Sequence, residues 1–467
     1  MGAGSILLIS ANRETCPVPA YPLAIARLAG ALAQTGRRVR QFDVLVEGEN
    51  ALPQVLAESR PDLVGISLRN VDNADSTVRE SCLDGHRRIV RTVRAQTRAP
   101  IVLGGSGFSI FPKPLLQLLE ADFGVAGPGE TALCALADAL QNGADPSAIP
   151  GVITRDGEAA PVSSREEVFT RPLHVREIIS YYWERAGMIG LQTKRGCPRN
   201  CSYCCYPCID GRQVVWADPV ELADEVERML KDFGITYFFA ADSVFNLEPA
   251  KEAAFAEELR RRALPVQWGA FFSPAGMDRE YLTLLKQSGL KHCEFGADSL
   301  SDAMLNSYQK GFTVQDVLGV SALARELRLL CAHYLILGGP GETADTLRET
   351  MRNAGQIRDS VFFPFAGVRV YPNTPLHARA VADGVVDPSC DCLDPVFFCA
   401  PGLTVEAIWS IVGKGTGVGN GWVMPWQFSA LNATIRQLRR RGHRGPLWEL
   451  ARYAGTGLIP EIMKSSA

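Results

Sequence analysis

The chain has 467 residues and a near-even charge balance, 48 Lys and Arg against 51 Asp and Glu, for a formal charge of −3. That balance argues against a nucleic-acid partner, and a chain of this length can bury its own core without the disulfide staples of small secreted domains. Thirteen cysteines, an odd number at low density, indicate a reducing cytoplasm in which clustered thiols bind metal or do chemistry. The opening MGAGSILLIS lacks a signal-peptide core, and Ile6 stands where a myristoylation pattern needs Ser or Thr. No run approaches the roughly 18 apolar residues of a membrane span, so no membrane partner is expected.

The first 145 residues alternate apolar strands with helical periodicity. SILLIS predicts a strand, YPLAIARLAGALAQTGRRV a helix closed by Gly36, and VRQFDV a second strand. DLVGISL, PIVLGGSG and DFGVAGPGE continue the strands; TVRESCLDGHRRIVRTVRAQ, PKPLLQLLEA and TALCALADALQNG supply helices. Short Val, Ile and Leu runs between helices predict a parallel sheet covered on both faces, a doubly wound α/β fold. Ligands on such sheets sit beyond the carboxyl ends of the strands, which singles out SLRNVDN (67–73), GGSGFS (104–109) and GPGE (127–130). Two of these are glycine turns that bring backbone N–H groups close to a large flat ligand.

In this order the segments resemble the cobalamin-binding domain of cobalamin-dependent radical SAM enzymes. The resemblance implies corrin contacts from Arg69, Asn70, Asp72, Gly104, Gly105, Ser106, Gly107, Gly127, Gly129 and Glu130. The D-x-H-x-x-G loop that gives other cobalamin proteins a lower axial histidine is missing. DGHRRI (84–89) lies in a helical run, and His86 is expected on that helix's surface. Arg69 is expected below the cobalt, where a guanidinium with no lone pair leaves that face unligated.

A Pro-, Ser- and charge-rich stretch, residues 146–182, reads as a linker. IGLQTKRGC then predicts a strand ending at Cys197, and KRGCPRNCSYCCYPCIDG (194–211) holds five cysteines. Cys197, Cys201 and Cys204 have the spacing C-x3-C-x2-C. Soft thiolates suit an iron-sulfur cluster or zinc, but structural zinc wants four protein ligands in paired knuckles. The other grouping, Cys390, Cys392 and Cys399, reads as incidental, and Cys205 and Cys208 as small buried hydrophobes. The motif resembles that of radical SAM enzymes. Three cysteines then hold a [4Fe-4S] cluster whose fourth iron is open to chelate S-adenosylmethionine (SAM).

Residues 183–385 repeat strand and helix six times, as in the partial (β/α)6 barrel of that family, with function gathered at the strands' C-terminal ends. The predicted strands after the cysteine loop are ITYFFAAD, VQWGAFF, HCEFGAD, CAHYLILGG and FAGVRVYP. The resemblance places SAM contacts at Asp242 and Asn246, at Asp298 and Ser299, and at Gly338 and Gly339. Arg369 joins the cofactor contacts, and Tyr371 with the cysteines is assigned a catalytic place.

Residues 386–467 read as a small helical cap over the barrel mouth, with Trp409, Trp422 and Trp426 more readily packed in a core than lining the pocket. The basic run RQLRRRGHR reads as a solvated helix end. The resemblance implies a C-methyltransferase using two SAM molecules and cobalamin on an unactivated carbon of a small-molecule or carrier-bound substrate. A flavodoxin- or ferredoxin-type protein would donate electrons. Two alternatives stay open: a cyclase or ring-rearranging enzyme on the same cofactors, and a cobalamin or redox sensor with a structural cluster.

Overall fold

The structure, a computed structural model, describes residues 4–155, 169–415 and 420–453. The middle of the linker, part of the glycine-rich run GTGVGNG and the end of the C-terminal segment lie outside these residues.

The first sheet is built from β1 (Ser5–Ser10), β2 (Arg38–Asp43), β3 (Leu63–Ser67), β4 (Ile101–Gly104), β5 (Phe123–Val125) and β6 (Val152–Thr154), in the order β2-β1-β3-β4-β5-β6. The first five run parallel, and β1 is buried along its whole length, as expected of an apolar strand covered on both faces. β6 joins antiparallel to β5 from within the stretch read as linker, so the sheet extends past residue 145. The helix Leu23–Gln34 ends where expected, with Gly36 at φ +81° beyond it. A helix over Leu52–Ser59 crosses between β2 and β3. The glycine turn after β4 continues directly as a helical turn, Ser106–Ile110.

The second sheet has β7 (Ile189–Leu191), β10 (Tyr237–Ala240), β11 (Gln267–Phe272), β12 (Leu290–Asp298), β13 (Leu330–Leu337) and β14 (Ser360–Ala366), with β17 (Gly421–Trp422) on the β14 edge. All pairings in it are parallel, which makes the six-unit open barrel. Two boundaries differ from the sequence expectation. The strand predicted to end at Cys197 stops at Leu191, and Lys194–Arg195 (β8) leave it to pair antiparallel with Val215–Trp216 (β9). The sixth barrel strand is SVFFPFA, not FAGVRVYP; Gly367, at φ +78°, turns the chain, and Val368–Arg369 (β15) pairs instead with Phe397–Phe398 (β16). Helix signals were faithful: Asp218 caps Pro219–Phe233 by accepting from Val220 N and Glu221 N at 2.8 and 3.0 Å, and left-handed Gly234 closes it.

The C-terminal segment divides in two. Residues 386–415 lie at the mouth, where Ala400 N donates to Gly338 O and Trp409 Nε1 to Thr77 Oγ1. Residues 421–453 instead strap the open side and lower end of the barrel. β17 extends β14, and Gly445 N donates to Gly187 O. Trp448 Nε1 reaches Glu294 Oε1 inside the barrel at 3.0 Å. Within this strap Arg439 is buried and spent on the carbonyls of His443 and Gly445, so the basic run is only partly solvated. Trp422 stacks on Phe362 with centroids 4.6 Å apart, while Trp409 and Trp426 meet edge to face and Trp426 stays 49% exposed.

Candidate functional site

The carboxyl ends of the two sheets face each other across a cavity of about 510 Å³. From the first sheet come Ser10 and Asn12 after β1, Ser67 and Arg69 after β3, Gly104, Gly105 and Ser106 after β4, and Gly127, Gly129 and Glu130 after β5. That is the switch-point crevice of a sheet ordered 2-1-3-4-5. The barrel contributes Gln192, Arg195, Tyr206, Asp210, Phe239 and Phe271.

Arg69 lies deep in the molecule yet is exposed, because it faces this cavity, and its guanidinium has no hydrogen-bond partner among the described residues. Burial pulls its pKa below the usual value, partly offset by the Tyr206 hydroxyl nearby. The loop that carries it is fixed at several points. Ser106 Oγ donates to Arg69 O at 2.7 Å, Gly107 N donates to Leu68 O at 2.9 Å, and His86 Nε2 lies 2.8 Å from Asn70 O. His86 is therefore buried beneath that loop, not on the surface as expected, and burial lowers its pKa. Gly105, at φ +96°, has no room for a side chain: a Cβ would stand 2.8 Å from Leu68 O. Gly107 is packed the same way against the carbonyls of Leu68 and Arg69 and does not line the cavity.

Several predicted contacts are committed to protein. Asp72, on the loop after β3, and Arg369, in β15, form a buried pair in which Nε and Nη2 both donate to Asp72 Oδ2, at 3.1 and 2.9 Å. Arg369 also donates to Val370 O and Cys392 O. Glu130 and Arg195 form a two-oxygen fork, Nη1 on Oε2 and Nη2 on Oε1, at 3.0 and 2.5 Å. Asp242 accepts from Thr193 N and Oγ1 and from Lys194 N and Nζ. Asn246 is held by Ser273 N, Ser273 O and Ala275 O. Ser299 turns to Thr350 Oγ1 at 3.0 Å, away from the mouth. Gly338 N donates to Glu342 Oε2 at 2.8 Å, and a Cβ on Gly339 would meet Tyr308 Oη at 2.2 Å. Burial lifts Glu342 to about 7. Tyr371 packs between Phe111 and the Arg369 guanidinium.

On the cysteine loop, Gly196 is at φ +85°, where a Cβ would strike Gln213 O, so only glycine lets the chain turn into Cys197. Cys197 N then donates to Gly211 O, and Cys204 N to Cys201 O. The three thiols lie within one another's electrostatic reach. Burial raises the Cys201 thiol and pushes Cys204 up to about 11. Such thiols keep their protons until a cation replaces them, which fits three soft ligands awaiting iron. Cys205 and Cys208 are partly exposed, not fully buried as expected; burial pushes Cys205 to about 12. Cys392 is buried, with its N–H 3.3 Å from Cys390 Sγ. Among the described residues no three His, Cys, Asp or Glu side chains converge as a single metal ion would require.

Sequence reasoning missed two features. The turn Tyr206–Asp210, which starts two residues past Cys204, carries Tyr206, Ile209 and Asp210 into the cavity wall. Their only sequence signal was adjacency to the cysteines. The second is a buried trio: Lys310 Nζ sits against Asp298 Oδ2 and 3.2 Å from Tyr203 Oη, and Tyr203 Oη donates to Asp298 Oδ2. Burial works against charge on Lys310, but Asp298 and the Cys201 and Cys204 thiols outweigh it and raise its pKa.

Comparison with known proteins matches both parts of the chain that meet at the cavity. A B12 binding domain model matches residues 9–137, and a radical SAM superfamily model matches residues 191–354. The chain belongs to the cobalamin-dependent radical SAM enzymes. Within that class the chain is similar both to methyltransferases and to a cyclase. It is 27% identical to tryptophan 2-C-methyltransferase of Streptomyces laurentii, over 81% of this chain and 75% of that one. The solved structure of TsrM, a radical S-adenosylmethionine methyltransferase from Kitasatospora setae with cobalamin and a [4Fe-4S] cluster bound, matches with a TM-score of 0.87 and 25% identity, covering all of both chains. The anaerobic magnesium-protoporphyrin IX monomethyl ester cyclase of Cereibacter sphaeroides is 27% identical, over 71% of this chain and 56% of that one. Among the described residues no helix is long and apolar enough to cross a membrane.

The Cys201→Ala variant is expected to lose cluster absorbance and deoxyadenosine formation while still binding cobalamin. Spectra of the anaerobically reconstituted protein check this, and loss of the corrin as well would contradict the separation of the two sites.

Proposed function

We propose that this chain is a C-methyltransferase that holds cobalamin in the inter-sheet cavity and a SAM-binding [4Fe-4S] cluster on Cys197, Cys201 and Cys204. The carrying observation is adjacency: the turn Tyr206–Asp210 is at once the exit of the cysteine loop and a wall of the cavity. When bound, the cluster would supply an electron to SAM and the corrin would carry the methyl group. Arg69 would lie against the lower corrin face and leave it without a protein nitrogen, as its unpartnered guanidinium suggests. Gly104, Gly105, Ser106, Gly127 and Gly129 would follow the corrin edge with backbone alone.

Asp72, Glu130, Asp242, Asn246, Ser299 and Arg369 would act by holding the walls, since their polar atoms are engaged with protein. Asp298 keeps Oδ1 without a hydrogen bond among the described residues and remains the candidate for the ribose hydroxyls. The domain division would follow the two matched segments, with the corrin domain extended to β6.

The substrate is read as a small molecule, and the likeness to tryptophan 2-C-methyltransferase makes a planar aromatic one the first candidate. A reaction with trideuteromethyl SAM and aromatic candidates, tryptophan among them, should yield a product carrying the whole labelled methyl group on carbon. A deoxyadenosine-forming reaction with an unlabelled, rearranged product would favour the cyclase reading instead.

An external flavodoxin- or ferredoxin-type donor, in a cytoplasmic setting, would approach where a 160 Å³ hollow reaches Cys201 and Cys204 past Arg199 and Arg212. These two cations would attract an acidic protein. Arg212 is exposed, and its Nη1 donates to Asn200 Oδ1 at 2.6 Å. Arg212→Glu should slow cluster reduction by reduced flavodoxin several-fold at low salt and leave reduction by dithionite unchanged; equal rates with flavodoxin at low salt would remove this face from consideration.

A further inference from the structure

Resting on the cluster assignment above, we propose that Lys310 is a positioning residue that sets the cluster's reduction potential. Its buried ammonium ties the cysteine loop to the end of β12 and favours the reduced, more negative cluster.

The geometry is compact. Lys310 follows the helix Asp302–Ser307 and is 8% exposed, and its backbone N–H donates to Leu305 O. Its Nζ is clasped by Asp298 Oδ2 and stands 3.2 Å from Tyr203 Oη. Tyr203 is the residue between Cys201 and Cys204, and its ring packs edge-on against Tyr308 at 5.5 Å. The carbonyl of Lys310 in turn accepts from Arg199 Nη1 at 3.3 Å, so the same residue grips the loop from the other side of Cys201. Ser202 N donates to Tyr308 O, two residues before Lys310. Both the backbone and the side chain of this segment therefore fix where the two thiols point.

The charge arrangement gives the sign. Lys310 and Asp298 form a pair, and the buried ammonium meets the cysteine loop at Tyr203, between Cys201 and Cys204. A buried cation facing a group that gains an electron stabilises the product of that gain, because the low-dielectric interior screens it little. Hydrogen bonds and nearby charge are recognised levers on iron-sulfur potentials. Asp298 is at φ +62°, a conformation unusual for a non-glycine residue, and its two partners on Oδ2 hold it there with Oδ1 turned to no donor among the described residues. Lys310 would thereby also hold Asp298 ready for SAM.

The test is an EPR-monitored potentiometric titration of the full chain, reconstituted with iron and sulfide, without SAM. Lys310→Met should lower the reduced-to-oxidised ratio at the wild-type midpoint at least tenfold, a downward shift of about 59 mV for one electron. Lys310→Arg should stay near wild type. Asp298→Asn, which leaves the cation unopposed, should move the midpoint the opposite way, and loosened packing alone would not give opposite signs. A Lys310→Met protein with full iron content and the wild-type midpoint, or shifts of the same sign in both variants, would overturn the proposal. If Lys310→Met does not retain its cluster, the Asp298→Asn arm decides alone, and an unmoved or lowered midpoint there also overturns it. Wild-type protein with no reducible [4Fe-4S] signal would instead defeat the functional reading on which this inference rests.

Discussion

Two sheets meet through buried ion pairs, and the site exists only because they do. Asp72 with Arg369 and Glu130 with Arg195 each join a loop of the first sheet to the barrel. Arg27 adds a third bridge, with Nη1 on Thr170 O at 2.8 Å and Nη2 3.4 Å from Glu225. Buried pairs of this kind contribute little beyond a hydrophobic substitute of the same shape, yet removing one partner typically costs about 3–5 kcal/mol. Their value here is register: the Glu130–Arg195 fork fixes distance and angle together, and the two Arg369 donors converging on one Asp72 oxygen fix a second point. They bring the C-terminal strand ends of both sheets to one cavity instead of two separate surfaces. Gly30 tightens the same joint, since a Cβ there would stand 2.0 Å from Arg171 O on the returning linker.

This joint explains why so many polar residues at the strand ends hold protein and not ligand. Asp242 gathers Thr193 and Lys194 behind the cysteine loop, and Lys194 Nζ also donates to Phe245 O and lies 3.4 Å from Glu252. A buried lysine survives in such company because every proton has an oxygen to meet. Much of what faces the cavity is glycine backbone, apolar and aromatic side chains and the Arg69 guanidinium. A large flat ligand asks for those groups, whereas the thiols behind Tyr206 ask for iron.

Much of the fold was legible because local signals agreed with the global one. Apolar strands, Asp and Thr caps, and closing glycines marked most boundaries, and C-x3-C-x2-C marked the loop. The sixth barrel strand was misplaced because Pro364 interrupts the pattern that marks a strand. It is tolerated because β17 covers only Val361 and Phe362 of β14, which leaves an open edge beyond them. The partnership of Asp72 with Arg369 spans 297 positions and that of Lys310 with Tyr203 spans 107, so no window of sequence could show either. Polar residues after strands can be singled out from sequence, but whether such a residue meets a ligand or another side chain is decided by tertiary placement. His86 illustrates the same limit, because helical periodicity located it and only the Asn70 loop above it explains its burial.

The central claim is that the cysteine loop and the corrin cavity share one wall, Tyr206–Asp210. Pulsed EPR on protein loaded with both a reduced cluster and cob(II)alamin tests it most directly. The account predicts dipolar coupling between the two spins in wild-type protein. Two independent signals in a sample carrying both centres at full occupancy would contradict it.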